Sequence, residues 1–261
     1  MAVNWIDTSN LSFNSLLLLE RIQISWFPGW LTEKTLAIAL RANPTVECFL
    51  RNKCPEITSW LDKVVSLDIG KYNENDIRKA EQMVLNSIND LLTYVIDPAI
   101  YDAQPFLKWH PFELTSIADF TGKIVIDVGA GTGKLAFIAA LKAKVVYAVE
   151  PVGNLRFYLK QMAKGKGLNN VFIVDGLITD IPFPDNFADI CMEGHTFGDN
   201  IEAEHKEMER VTKKGGMVIH CPGSDDMDNK IHQFLVDKGY KWSKFEEPEE
   251  GMKRKYWKCI V

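Results

Sequence analysis

The sequence has no pair of cysteines at a diagnostic spacing. Its five cysteines, Cys48, Cys54, Cys191, Cys221 and Cys259, form no CxxC motif, and none stands with a histidine at zinc-finger spacing. No disulfide framework and no structural metal site are expected, and the thiols read as free in a reducing, cytoplasmic compartment. Long apolar runs are missing too. The longest, Leu16 to Leu19, is closed by Glu20 and Arg21, far short of the ~20 apolar residues that span a bilayer. No basic segment precedes it, so a secretory signal is not expected and the run reads as buried helix. Nor is there a basic block. Thirty Lys and Arg against 35 Asp and Glu give a net charge of −5, which argues against a nucleic-acid surface. Internal repeats and low-complexity segments are absent.

What remains is the composition of an ordinary globular chain: 261 residues, 46% hydrophobic and 25% charged. Its two parts read differently. Residues 1–115 are expected to be helical. Thr32 can cap "TEKTLAIALRAN", and "NPTVECFLRN" begins with Asn43 at the cap and Pro44 at the first helical position. The clearest helix is "NENDIRKAEQMVLNSINDLLTYVIDP", where Ile77, Ala80, Val84, Ile88, Leu91 and Val95 recur at three and four. Five of the seven tryptophans, Trp5, Trp26, Trp30, Trp60 and Trp109, lie in this part. They read as core or as an aromatic wall for a substrate. This region is expected to act as a lid that builds the pocket for the second reactant, with His110 at the junction.

From residue 116 onward the pattern alternates strand and helix. Apolar strands "KIVIDV", "VVYAVE", "VFIVDG", "FADICME" and "MVIHCP" are separated by amphipathic helices, one of them running through "IEAEHKEMERVTKKGG". "YKWSKFEE" and "KYWKCIV" close the chain as a hairpin. Near-continuous apolar strands require both sheet faces to be covered. The expected fold is α/β and doubly wound: a mostly parallel seven-stranded sheet, helices on both faces, the last strand antiparallel, and an α-helical N-terminal region in front.

The stretch "KIVIDVGAGTGKLAF" runs from a strand through three glycines into a helix. Three ligands compete for such a turn. A triphosphate loop needs GxxxxGK and then Ser or Thr, but Val128 stands at the first glycine and Leu135 follows Lys134. A dinucleotide loop needs GxGxxG. Gly129 and Gly131 fit, while Lys134 replaces the third glycine, which weakens that reading. S-adenosylmethionine suits the pattern acid-x-G-x-G-x-G. Gly129 and Gly131 permit a tight turn and a close approach of backbone N–H groups, and the helix start near Gly133 suits the methionyl carboxylate. Asp127 can serve the ammonium side or ordered water. Glu150 ends the second strand 23 residues after Asp127, where a carboxylate can accept the ribose hydroxyls. Asp175 ends the third strand and can accept from the adenine amino group, with the N–H of Gly176 or Leu177 donating to the ring.

These motifs together resemble the class I, seven-strand S-adenosylmethionine-dependent methyltransferases, and within them the small-molecule branch that includes the quinone-biosynthesis enzymes. "VIDVGAGTG", "VEP", "VDGLITDIPFPDNFADI" and "EMERVTKKGGMVIH" carry the resemblance, which extends from about residue 122 to the last residue. It implies S-adenosylmethionine as cofactor and S-adenosylhomocysteine as product. It also implies cofactor contacts from Asp127, Gly129, Gly131, Glu150 and Asp175, and Ala130, Pro151, Gly176, Leu177 and Glu193 are expected to join them in binding the cofactor. An Asn/Asp-Pro-Pro-aromatic segment, common after strand four in enzymes that methylate base or glutamine amino groups, is replaced by "CMEGHTFGDN". A small or medium-sized acceptor is therefore expected. His195 is the candidate general base, Glu193 serves the ammonium or the turn, and Asp199 is the expected cap of the next helix. His220 is a secondary candidate and His205 reads as solvated. Two rival readings stay open: a cofactor-binding protein without transfer, and an NAD-dependent oxidoreductase. An oligomer is compatible with all of them.

Overall fold

The computed structural model describes residues 4–261 and divides the chain into two compact units, Met1–Tyr101 and Asp102–Val261. The first unit is helical and has its own core. Helices Glu33–Ala42, Pro44–Lys53 and Thr58–Ser66 each turn an apolar stripe inward. Leu36, Leu40, Leu50, Leu61, Leu85 and Ile88 lie at its centre, all with no solvent exposure. Period-3.6 patterning is enough to specify this packing.

The long apolar pattern from Asn73 forms two helices, not one. Asn73 starts Glu74–Ser87 with a capping box to Asp76, and the chain breaks at Ile88 before Asn89–Ile96. Ile88 leaves helical geometry at φ −120° and ψ 29°. The reason lies at Asn89, whose buried side chain accepts the Trp5 N–H at 2.7 Å and donates to the Ile6 carbonyl at 2.8 Å. A side-chain amide that captures another main chain competes with helix continuation, and no periodicity argument registers it.

The second unit holds one seven-stranded sheet in the order β3-β2-β1-β4-β5-β7-β6. Its strands are β1 Ile124–Val128, β2 Val145–Val149, β3 Val171–Val174, β4 Ala188–Glu193, β5 Thr212–Asp225, β6 Lys241–Glu247 and β7 Gly251–Cys259. β7 alone runs opposite in direction to the other six strands. Alternation along the strands covers both faces. Val125, Val146 and Ile190 pack with Ala136 and Leu159, from the helices Lys134–Ala140 and Gly153–Gly165. Ile126, Val149 and Cys191 pack on the other side with Met208 and Leu235, from the helices Ile201–Val211 and Lys230–Asp237. Right-handed strand–helix–strand crossovers require this two-sided arrangement.

Two boundaries differ from those read in the sequence. Residues 102–115 belong to the sheet unit, not to the helical one: Trp109 and Leu114 are buried in its core, and Lys255 Nζ on β7 donates to the Glu113 carbonyl and carboxylate at 2.7 and 2.8 Å. The helix expected to run through Gly216 ends at Val211, and β5 begins at Thr212. Thr212 pairs opposite Ala188, and Gly215 and Gly216 exchange main-chain bonds with Ile260.

The sheet reverses its winding direction between β1 and β4. Open α/β sheets bind ligands at such a switch point, beyond the carboxyl ends of the strands. The glycine loop, Glu150, Asp175 and His195 all follow the carboxyl ends of β1 to β4.

Candidate functional site

Three loop glycines adopt left-handed backbone: φ is 66° at Gly129, 54° at Gly131 and 96° at Gly133. At two of them a contact adds to the backbone requirement. A Cβ on Gly129 would lie 2.2 Å from Thr196 Oγ1, so the loop there is closed by a side chain from beyond β4. A Cβ on Gly133 would meet the Phe137 ring at 2.6 Å and Leu159 at 2.7 Å. The main-chain donors differ from the expectation. Gly129 and Ala130 N–H both bond the Val149 carbonyl, at 2.8 and 3.0 Å, and Gly131 N–H bonds Glu150 Oε2 at 2.9 Å. Those amides lock the loop to the end of β2 instead of pointing at a ligand. Thr132 Oγ1 is buried here without a hydrogen-bond partner among the described residues.

Asp127 is buried, and its Oδ2 accepts the Ala136 N–H at 2.8 Å. It caps the first turn of the helix from within the sheet. Burial pushes its carboxyl well above the ordinary range, the Ala136 bond opposes this, and the nearby Glu193 and Glu150 carboxylates add to the rise. The folded protein therefore holds this proton more tightly than the unfolded chain. Above the unfolded pKa of about 3.9, the unfolded chain releases the proton first, so this residue's contribution to stability falls as pH rises. Asp127→Asn is expected to melt a few degrees higher at neutral pH, with the gain vanishing below the unfolded aspartate range. Calorimetric scans at several pH values test this; a pH-independent difference would show that the carboxyl is not the cause.

Glu150 is nearly fully buried, and its second oxygen accepts the Val152 N–H at 2.9 Å. A carboxylate offers about four lone-pair sites, and the Gly131 and Val152 N–H groups each take one. Arg156, which the sequence reading missed, ties this corner together. Its Nη1 donates to the carbonyls of Glu150 and Pro151 at 2.8 Å each and to Asp175 Oδ1 at 2.9 Å. Asp175 is therefore ion-paired yet mostly exposed. Gly176 is required by contact: a Cβ would lie 2.6 Å from Pro182. Leu177 forms an isolated bridge with Asp180. An arginine one turn into the helix after β2 was the available signal, but its spacing alone does not separate it from a solvated surface charge.

The segment after β4 is built around Glu193, which has no solvent exposure. Its Oε2 accepts the Thr196 and Phe197 N–H groups at 2.9 and 3.1 Å, and Oε1 lies 2.6 Å from His220 Nδ1. This arrangement shapes the turn, the second of the two roles considered for it. Asn200 caps the next helix through Ala203, not Asp199. His205 is buried, not solvated; Phe234 and Tyr240 pack on it, and burial pushes it down to about 4. His110 is exposed, and its Nδ1 accepts the Phe112 N–H at 3.1 Å. His195 differs from the others. Its backbone is left-handed at φ 61°, its ring is about a third exposed, and its Nε2 lies 2.7 Å from Glu247 Oε1 on β6.

Residues 126–220 match the family described as a methyltransferase domain. The chain is 33% identical over 120 residues to a demethylmenaquinone methyltransferase of Geobacillus kaustophilus, covering 43% of this chain and 50% of that one. A crystal structure of a SAM dependent methyltransferase from Aquifex aeolicus superposes with a TM-score of 0.51 at 20% identity, over 64% of this chain and all of that one. The sheet unit has the fold of the class I S-adenosylmethionine-dependent methyltransferases, and residues 126–220 of it match their methyltransferase domain. A probable histone-arginine methyltransferase 1.4 of Arabidopsis thaliana is also similar, 38% identical over 87 residues, 32% of this chain and 16% of that one. The chain spans about half the length, or less, of these curated relatives. S-adenosylmethionine is the cofactor that this domain and fold imply, and the residues fit it. Three buried carboxylates, Asp127, Glu150 and Glu193, stand at one edge of the sheet, where a sulfonium and an ammonium offset their field. The orphaned Thr132 hydroxyl supplies a further polar atom in the loop.

Proposed function

We propose that the protein transfers a methyl group from S-adenosylmethionine to a small or medium-sized acceptor. The observation that carries this reading is the link from Gly131 N–H to Glu150, which joins the glycine loop to the acid ending β2. In this reading Glu150 receives the ribose hydroxyls, beside Pro151. Asp175 and the main chain of Gly176 and Leu177 receive the adenine, and Asp127, Gly129, Ala130, Gly131 and Glu193 hold the loop in shape. Bound S-adenosylmethionine supplies an electrophilic methyl group whose leaving group is a neutral thioether, so no acid is needed to expel it. The chain's own work is to align the acceptor, keep water out and take up a proton. His195 is the residue proposed for that proton.

The similarity to the Geobacillus demethylmenaquinone methyltransferase supports a quinol-like acceptor. S-adenosylhomocysteine is expected to raise the melting temperature and NADH to leave it unchanged; the reverse result would move the protein to the oxidoreductases. Transfer of labelled methyl to simple quinols, but not to histone peptides, would support the acceptor class.

Acceptor selection is proposed to reside in the helical unit, whose core is complete in itself. A chain beginning at Asp102 is expected to bind S-adenosylhomocysteine within about tenfold of the full protein and to lose acceptor turnover. Normal turnover by the shortened chain would sink this assignment.

A further inference from the structure

The pair formed by His195 and Glu247 is not explained by cofactor binding. Glu247 closes β6 and has no solvent exposure, yet the only hydrogen bond its carboxylate makes among the described residues is the one Oε1 accepts from His195 Nε2 at 2.7 Å. Its Oε2 lacks a hydrogen-bond partner there and lies 3.6 Å from Lys253 Nζ, which is itself bonded to Asp225 at 2.6 Å. A buried carboxylate with so little compensation is costly to keep. The ring it holds is costly as well, because His195 sits in left-handed backbone at φ 61°. Such strain persists only where the surroundings impose it, and it concentrates at functional sites.

The surroundings fix this ring in place. Phe106 meets it edge-on, with centroids 5.5 Å apart, and the His195 N–H donates to the Pro222 carbonyl at 3.2 Å. The residues on either side touch the glycine loop and its helix. A Cβ on Gly194 would lie 3.3 Å from Leu135, and Thr196 covers Gly129. An immobilised, part-exposed imidazole thus stands beside the loop, while Nδ1 has no hydrogen-bond partner among the described residues.

We propose that Glu247 is the positioning residue that holds His195 as the Nε2–H tautomer, so that Nδ1 accepts the proton of a phenol- or quinol-type hydroxyl on the acceptor. A carboxylate can only accept, so the shared proton resides on Nε2 and the Nδ1 lone pair faces outward. The inference rests on the methyltransferase reading and extends it to the acceptor. In the step, the hydroxyl O–H bond breaks and its proton moves to Nδ1. The oxygen's electron pair forms the bond to the methyl carbon while the carbon–sulfur pair remains on sulfur. A phenol with a pKa near 10 lies within reach of an imidazole, as an aliphatic alcohol does not.

The full chain saturated with S-adenosylhomocysteine is the material for the test, with ¹⁵N NMR of the His195 ring at about pH 8 and 4-nitrocatechol as the acceptor probe. The expected spectrum has Nε2 protonated and Nδ1 bare in the native protein and in Glu247→Gln, whose carbonyl accepts the same bond. In Glu247→Leu the two tautomers are expected to mix. The probe's hydroxyl is expected to ionise about one pH unit lower when bound, a tenfold change in its ionisation constant, with the shift lost in His195→Asn and Glu247→Leu. A proton found on Nδ1 in the native protein overturns the inference. So does a probe that fails to bind, or one that binds without a shift, in a protein that binds S-adenosylhomocysteine. Failure to bind S-adenosylhomocysteine would instead overturn the cofactor reading.

Discussion

Gly131→Val is expected to abolish detectable S-adenosylhomocysteine binding, at least a hundredfold loss in affinity, while leaving the sheet folded. Gly131 holds φ at 54°, a conformation that costs an ordinary residue about 1–2 kcal/mol and a β-branched one more. To relax, the chain must move the Gly131 N–H, and that group holds the Glu150 carboxylate at 2.9 Å. One substitution therefore disturbs both the loop and the acid proposed to receive the ribose. The sheet core does not include Gly131, so circular dichroism should be native-like, with a melting temperature lower by several degrees. Titration calorimetry decides the matter: tight binding by the variant would place the cofactor somewhere else.

Glu150→Ala is expected to weaken S-adenosylmethionine binding by roughly 10- to 100-fold, or about 1.4–2.7 kcal/mol. Two charge-assisted hydrogen bonds to ribose, reduced by solvent competition, account for a loss of that size. The structure adds a stability cost that the sequence did not suggest. Alanine strands the N–H groups of Gly131 and Val152, both bonded to Glu150, and a buried unsatisfied donor costs about 1–3 kcal/mol. Glu150→Gln separates the two effects, since its amide retains one main-chain acceptor. Unchanged affinity in both variants would remove Glu150 from the site.

The fold was legible where apolar periodicity and turn residues report on main-chain geometry. The alternation from β1 onward placed the strands, and "DVGAGTG" placed the loop at the carboxyl end of β1. Interactions between side chains distant in sequence left no such trace. Asn89 breaks a helix by bonding Trp5 and Ile6, more than 80 residues earlier. Glu247 meets His195 across 52 residues, and Arg156 looks like any surface cation until β2 and β3 are seen to end beneath it. Burial misled in the same way. His205 lies among charges in the sequence, but its face of the helix turns toward Phe234 and Tyr240. The glycines lie in the turn after β1 that their pattern indicates, while the contact that excludes a side chain at Gly129 comes from Thr196, in another strand's loop.

The position of β7 between β5 and β6 bears on the order in which this protein can assemble during synthesis. β5 leaves the ribosome well before its neighbour in the finished sheet exists, and it waits with an open edge while β6 is made. β6 also has no partner until β7 arrives, since β7 is its only neighbour. The helical unit, contiguous and preceding the sheet unit in the chain, can complete its core before β5 is made. The nascent sheet is therefore the stage exposed to edge-to-edge association, and residues 251–259 act as a late-arriving seal on it.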